Sequence, residues 1–221
     1  MTIEGTRWTV LDAVWALLAG IGAAAVALVI LGEAPTNSEI FLVVLPAQEL
    51  ATLGAVWLIG RNKGSGDLFA DFGLHLLRRD WVWLVLGLGM QLALSWIVAG
   101  LTDIDEAPQE IARLTDEATG AAVVAAFVST VLLVPVVEEL VFRGLLLRGV
   151  ERRLGVWWGI AISAAVFTLF HYTGSETLPI LPALFVVGVV LGVVAVKTGR
   201  LAASMVVHAG FNLLPAIILL S

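Results

Sequence analysis

The 221-residue chain contains no cysteine, so a disulfide framework, a thiolate metal site and a thiol nucleophile are all excluded. Charge is scarce as well: Asp, Glu, Lys and Arg make up 14% of the residues, against 60% hydrophobic residues and a mean hydropathy of +1.01. Soluble domains carry roughly 25% charged residues, so this balance marks an integral membrane protein. The net charge of −6 speaks against a nucleic-acid partner. No soluble domain, low-complexity tract or clear internal repeat is present, and residues 1–221 read as a single transmembrane domain. The first apolar run, Trp8 to Leu31, is longer than a signal-peptide core and has no small-x-small cleavage site close behind it, so it reads as a retained span.

What the chain does contain is a series of apolar runs. Those long enough to cross about 30 Å of hydrocarbon fall at 8–31, 39–60, 81–101, 119–137 with an extension to 154, 155–172, 178–196 and 201–220. This predicts an all-α bundle of about seven spans. A cytoplasmic N-terminus places Arg7, Arg61, Lys63, Arg78, Arg79, Arg143, Arg148, Arg152, Arg153, Lys197 and Arg200 on the inner side, with Arg148 to Arg153 projecting towards the cytoplasm, and only Arg113 outside. Trp8, Trp57, Trp81, Trp83, Trp157 and Trp158 fall near the same inner boundary, as an aromatic belt would. Between spans, 61–80 reads as a Gly-rich turn and a short amphipathic stretch along the inner interface, with His75 an ordinary surface residue. The acidic segment 102–118 reads as a solvated outer loop.

An ionisable side chain at membrane depth costs roughly 2.5–3.5 kcal/mol on insertion scales, so each one needs a reason. Glu138, Glu139, Arg143, His171, His208 and Asn212 are the residues in question. Glu139 and Arg143 are i and i+4 with the acid N-terminal, the better orientation for an ion pair. Glu138 lies about 100° around an α-helix from Glu139 and faces a different element. If the chain turns at Leu154–Gly155, Glu138 and His171 each stand about 24 Å from the turn. His208, counted from Arg200, stands about 12 Å into the membrane and shares a helix face with Asn212. Glu138 stands about 10 residues above Arg148, roughly 15 Å into the membrane, so three stretches converge on one level.

A carboxylate beside imidazole in a protein-walled pocket suits the activation of water. Glu138 would serve as general base with His171 as its partner, while His208 and Asn212 would donate hydrogen bonds to an oxyanion. The same atoms admit a second reading, a Zn²⁺ site of Glu138, His171 and His208. The His-Glu-x-x-His spacing of zincins is absent, and a metal-free site is the favoured expectation.

"EELVFR" (138–143) fits E-E-x-x-x-R, "FTLFH" (167–171) fits F-x-x-x-H and "HAGFN" (208–212) fits H-x-x-x-N. In this order and at these separations the chain resembles the CPBP family, the CAAX protease and bacteriocin-processing (Abi) membrane proteins, which includes the type II CAAX prenyl endopeptidases. The motif-bearing core spans about 119–220. The resemblance implies a helical intramembrane endopeptidase, in a bacterial or archaeal cytoplasmic membrane, with its cavity open to the cytoplasm and a membrane-embedded or lipidated peptide as substrate. By the family pattern Glu138 is the water-activating base, His171 its partner, and His208 with Asn212 the oxyanion side. Glu139, Arg143 and Phe167 take structural or substrate-orienting roles.

Blander readings stand beside these. The Glu139–Arg143 pair serves to lock helices, Phe167 to pack and to fix the His171 ring, and Gly188 with Gly192 to permit a close helix contact. Pro135 is expected to kink the fourth span. Two other classes also fit such polar residues: a proton-coupled transporter, which would show an inverted repeat that is not found, and a non-catalytic scaffold or bacteriocin-immunity protein of the same fold.

Overall fold

The computed structural model describes residues 6–101 and 120–218. The expected acidic loop at 102–118, with Arg113, lies outside the described residues. The helices are α1 (Val10–Leu31), α2 (Asn37–Lys63), α3 (Leu68–Phe72), α4 (Trp81–Leu101), α5 (Gly120–Leu154), α6 (Val156–Phe170), α7 (Leu181–Thr198) and α8 (Leu201–Ile218). A 3₁₀ turn, Ser175–Ile180, leads into α7, and no strand occurs among the described residues. Helices α1, α2, α5 and the segment Thr177–Thr198 are long and apolar enough to cross a membrane; Trp81–Ile97, α6 and Leu201–Ile217 are shorter apolar helices. All seven predicted runs are thus helical, within a few residues of the expected limits.

Local signals explain the boundaries. At the start of α1 the Thr9 backbone N–H and hydroxyl donate to the Asp12 carboxylate (2.7 and 3.1 Å), filling one end of a helix whose first N–H groups lack partners. Lys63, at the end of α2, donates to the same carboxylate (2.6 Å) and brings the two helix ends together. Gly155, at φ +88°, makes the sharp reversal between α5 and α6, a conformation that costs an L residue strain.

Helix α5 is central. It touches α1, α2, α6, α7 and α8, and all nine residues from Glu139 to Leu147 are buried. Its Phe142 and Leu145 share one buried cluster with Trp8, Phe72, Phe167 and Leu201. The outward sides of the peripheral helices remain apolar: Leu11, Trp15, Leu18, Val29 and Ile30 of α1 are exposed, as suits surfaces facing hydrocarbon. Helices α4 and α8 meet almost backbone to backbone, because a Cβ on Gly87 would strike the Val207 carbonyl and one on Gly210 the Leu84 carbonyl.

Sequence spacing predicts a uniform α-helix for α5, and here the structure differs. Two stretches, Ser129–Leu133 and Glu139–Leu147, are wound as π-helix. Pro135 supplies part of the reason. In the π register Val134 N–H donates to the Ser129 carbonyl. The next such bond, to Thr130, would require an N–H on Pro135, which proline does not have. The expected irregularity is therefore a change of winding with one carbonyl released.

The charged end of the bundle also departs from expectation. Trp8 does not join an aromatic belt; it is fully buried and stacked on Phe72 with ring centroids 4.9 Å apart. Trp57, Trp81, Trp157 and Trp158 are exposed, as a belt requires. Arg148 does not project into solvent: it is buried and donates to the Asp71 carbonyl (2.6 Å). Arg152 donates to the Trp8 carbonyl and the Thr6 hydroxyl (3.1 and 2.6 Å). Segment 61–80 is consequently bound into the bundle rather than laid along it, with Ser65 N–H and Oγ–H donating to a buried Asp71 (2.8 and 2.6 Å). His75 is exposed, as expected.

Arg200 completes this end with two parallel hydrogen bonds to Asp80 (2.8 Å each) and a third to the His75 carbonyl (3.0 Å). The guanidinium holds the Asp80 carboxyl below the usual carboxylate range. A depressed folded value means that this contribution is present above the unfolded value of about 3.9 and is lost as pH falls through the lower folded one. Asp80→Asn is expected to destabilise the protein by about 1–2 kcal/mol at neutral pH and to remove that acid-dependent loss, as thermal unfolding in detergent across the acid range would show.

Candidate active site

The site forms where α5, α6 and α8 meet. Glu138 is the last residue before the long π stretch. Its Oε1 lies 3.9 Å from His171 Nε2 and its Oε2 lies 3.6 Å from His208 Nε2. These separations exceed direct hydrogen-bond length, but they bring one carboxylate between two imidazoles from two other helices. Glu138 Oε2 is buried without a hydrogen-bond partner. Catalytic contacts of this kind commonly tighten only when substrate or water is in place.

Both rings are held by their other nitrogen, which decides how each presents itself. Helix α6 ends at Phe170, so His171 is the residue after the last helical turn and not within it, as spacing alone predicts. Its Nδ1 lies 2.8 Å from the Phe167 carbonyl, one of the acceptors left open at a helix C-terminus. A carbonyl can only accept, so Nδ1 carries the proton, and in the neutral ring Nε2 points a lone pair at Glu138. His208 Nδ1 lies 3.2 Å from Glu139 Oε1. Glu139 is also bonded by Arg143 Nη1 (2.8 Å) and acts as its carboxylate counter-ion, so His208 Nδ1 is again the donor. The two Nε2 atoms therefore converge on Glu138.

The supporting residues are connected. Glu139 and Arg143 are both fully buried, the pair that sequence spacing predicts. Arg143 Nη2 donates to the Gly188 carbonyl of α7 (3.1 Å), and its guanidinium lies over the Phe167 ring, 4.6 Å from the centroid. Gly188 also lets α7 lie close to α6, since a Cβ there would sit 3.0 Å from Ala164. Phe167 packs against the rings of His171 and His208 with centroids 4.5 and 5.8 Å away. One phenylalanine thus touches both imidazoles and the guanidinium. Asn212 stands one turn beyond His208, and its amide nitrogen donates to the Thr130 carbonyl (3.0 Å), the acceptor that Pro135 releases.

Sequence reasoning overlooked Glu49. This carboxylate of α2 is buried at 5% exposure and lines a cavity of about 60 Å³ together with Glu138. The signal was available, since Glu49 interrupts the apolar run 39–60 and an ionisable group at that depth calls for a reason as much as Glu138 does. Of the three ligands in the zinc reading, the two Nε2 atoms and Glu138 are suitable donor types.

The fold and site define an integral membrane protein of the helical-bundle type with a Glu–His–His cluster inside the bundle. Residues 120–214, a little under half of the chain, match the family model for Rce1-like proteins, described as type II CAAX prenyl endopeptidase Rce1-like. This is a protease family, and all three motifs read from the sequence fall within the matched segment, in agreement with the resemblance they suggested. No curated protein and no solved structure matches the chain.

Removing the Arg143 guanidinium would leave the Glu139 charge without its cation inside the bundle. Arg143→Met is expected to cost about 3–5 kcal/mol. Combining it with Glu139→Gln is expected to cost less than the two single changes summed, which a double-mutant cycle of unfolding free energies would measure.

Proposed function

We infer that the protein is an intramembrane endopeptidase that hydrolyses a peptide bond in the membrane-proximal or C-terminal part of a membrane-associated substrate. The observation that carries this reading is the approach of His171 and His208 to either oxygen of Glu138, in a segment matching a prenyl endopeptidase family. A lipidated peptide tail is the substrate class that the family match supports. The gathering of Arg148, Arg152, Arg200 and Lys63 at one end of the bundle supports a site reached from the cytoplasmic side.

In the proposed reaction a water beside Glu138 gives a proton to the carboxylate as its oxygen attacks the scissile carbonyl carbon. His171 Nε2 accepts a hydrogen bond from the same water and fixes its direction. His208 takes part as the doubly protonated ring: Nδ1 donates to Glu139, and Nε2 keeps its proton through the cycle and donates to the oxyanion. Glu139, bonded to Nδ1 of the same ring, fixes the ring's orientation, as a carboxylate does behind the histidine of a catalytic triad. Asn212 has two amide hydrogens; one is given to Thr130, and the second is the one available to the oxyanion. As the C–N bond breaks, Glu138 passes its proton to the departing amine. No step needs a metal ion.

Glu138→Gln and His171→Ala are expected to lower cleavage of a membrane-tethered reporter peptide by about 10²–10⁴-fold while the protein remains folded. A chelator is expected to leave wild-type cleavage intact. Persistence of cleavage in both variants would overturn the protease reading, and loss on chelation with recovery on adding zinc would overturn the metal-free mechanism.

A further inference from the structure

The cavity shared by Glu49 and Glu138 lies on the side of the site not explained by the three motifs. Its walls come from four helices: Leu17 and Ile21 of α1, Gln48, Glu49 and Thr52 of α2, Val137, Glu138, Val141 and Phe142 of α5, and Phe170 of α6. One water needs roughly 10–15 Å³ of such space, so about 60 Å³ admits several. The Thr52 hydroxyl donates to the Gln48 carbonyl (2.9 Å), and Gln48 Nε2 donates to Glu49 Oε1 (3.3 Å). Glu49 Oε2 is left for the cavity.

Among the described residues no Lys, Arg or His lines this space. The charged and titratable groups facing Glu138 from elsewhere are the Nε2 atoms of His171 and His208. Arg143 is engaged by Glu139 and the Gly188 carbonyl. Two carboxylates that share a confined site with no cation on its walls repel one another when both are ionised, and such pairs hold one proton between them.

We propose that Glu49 is a positioning residue for the hydrolytic water: it carries the proton of the Glu49–Glu138 pair and donates a hydrogen bond to cavity water whose own O–H points to Glu138. This rests on the protease reading above. Through the cycle Glu49 keeps its proton, Glu138 takes one from water, and that second proton leaves on the amine. The arrangement turns the water towards Glu138, the proposed base. Because only the neutral carboxyl donates, the function of Glu49 is present at low pH and lost as pH rises through its ionisation.

The test uses the full-length protein in proteoliposomes with a farnesylated CAAX peptide as the probe substrate. Glu49→Gln keeps a donor that cannot ionise, so it is expected to retain near-wild-type kcat at neutral pH and to lose the alkaline fall in its pH profile. Glu49→Ala is expected to lower kcat by about 10–100-fold with little change in KM. Infrared difference spectra between wild type and Glu49→Gln at neutral pH are expected to show the C=O stretch of one protonated carboxyl group. That measurement decides the question even if Glu49→Ala fails to fold or the probe is not cleaved: absence of the band overturns the proposal. So does full activity in Glu49→Ala, or a Glu49→Gln profile superimposable on wild type, provided that Glu138→Gln is inactive. An active Glu138→Gln would instead overturn the underlying protease reading.

Discussion

A carboxylate enclosed by apolar helices is tolerable only beside a cation, and the interior of this bundle is arranged around one such pair. Glu139 and Arg143 neutralise each other on α5, and what is left of their bonding capacity reaches outwards, to His208 of α8 and to the Gly188 carbonyl of α7. Phe167 of α6 lies under the guanidinium. Four helices are thereby tied to one buried charge pair. Such a pair contributes little net stability compared with apolar packing, because desolvating both ions offsets their attraction. What it supplies is position: Glu138, the preceding residue, is held towards two imidazoles whose other nitrogens are already committed.

The winding of α5 is the second determinant. A π segment puts an extra residue into a helical turn and opens the hydrogen-bond ladder, and it recurs where proteins need side chains re-aimed. Here the π stretch from Glu139 to Leu147 carries the pair and is buried along its whole length, so packing from the surrounding helices sustains a winding that an isolated helix would not adopt. The earlier π turn ends at Leu133, two residues before Pro135, and the carbonyl that Pro135 releases on Thr130 is met by Asn212. One residue of the third motif thus has a structural duty besides any role at the oxyanion. It couples the position of α8, which bears His208, to the proline in α5.

The charged end of the molecule shows the same economy of cations. Arg148, Arg152 and Arg200 each turn inward to backbone carbonyls or carboxylates of the N-terminal segment and the 64–80 connection. Carbonyls in connections lack the partners that helices provide, and guanidinium groups with several fixed donors satisfy them efficiently. The result is a tied end from which α5 and α8 both rise to the level of Glu138 and His208.

Much of this was legible in the chain itself. Lengths of apolar runs set the number and extent of the helices, because hydrocarbon thickness imposes one period on all of them. The i, i+4 spacing of Glu139 with Arg143, and the matching distances of Glu138 and His171 from the Gly155 reversal, set which polar groups could meet. Other features depended on the folded arrangement. Trp8 is buried instead of interfacial because Phe72 comes back from a distant connection to stack on it, and Arg148 is internal because Asp71 offers a carbonyl there. The π winding of 139–147 and the joining of Glu49 to Glu138 across a cavity also required the tertiary structure, since both arise from contacts among helices far apart in sequence. Local periodicity records which face of a helix is apolar, but the partner that a buried polar group finds is decided only when the helices pack.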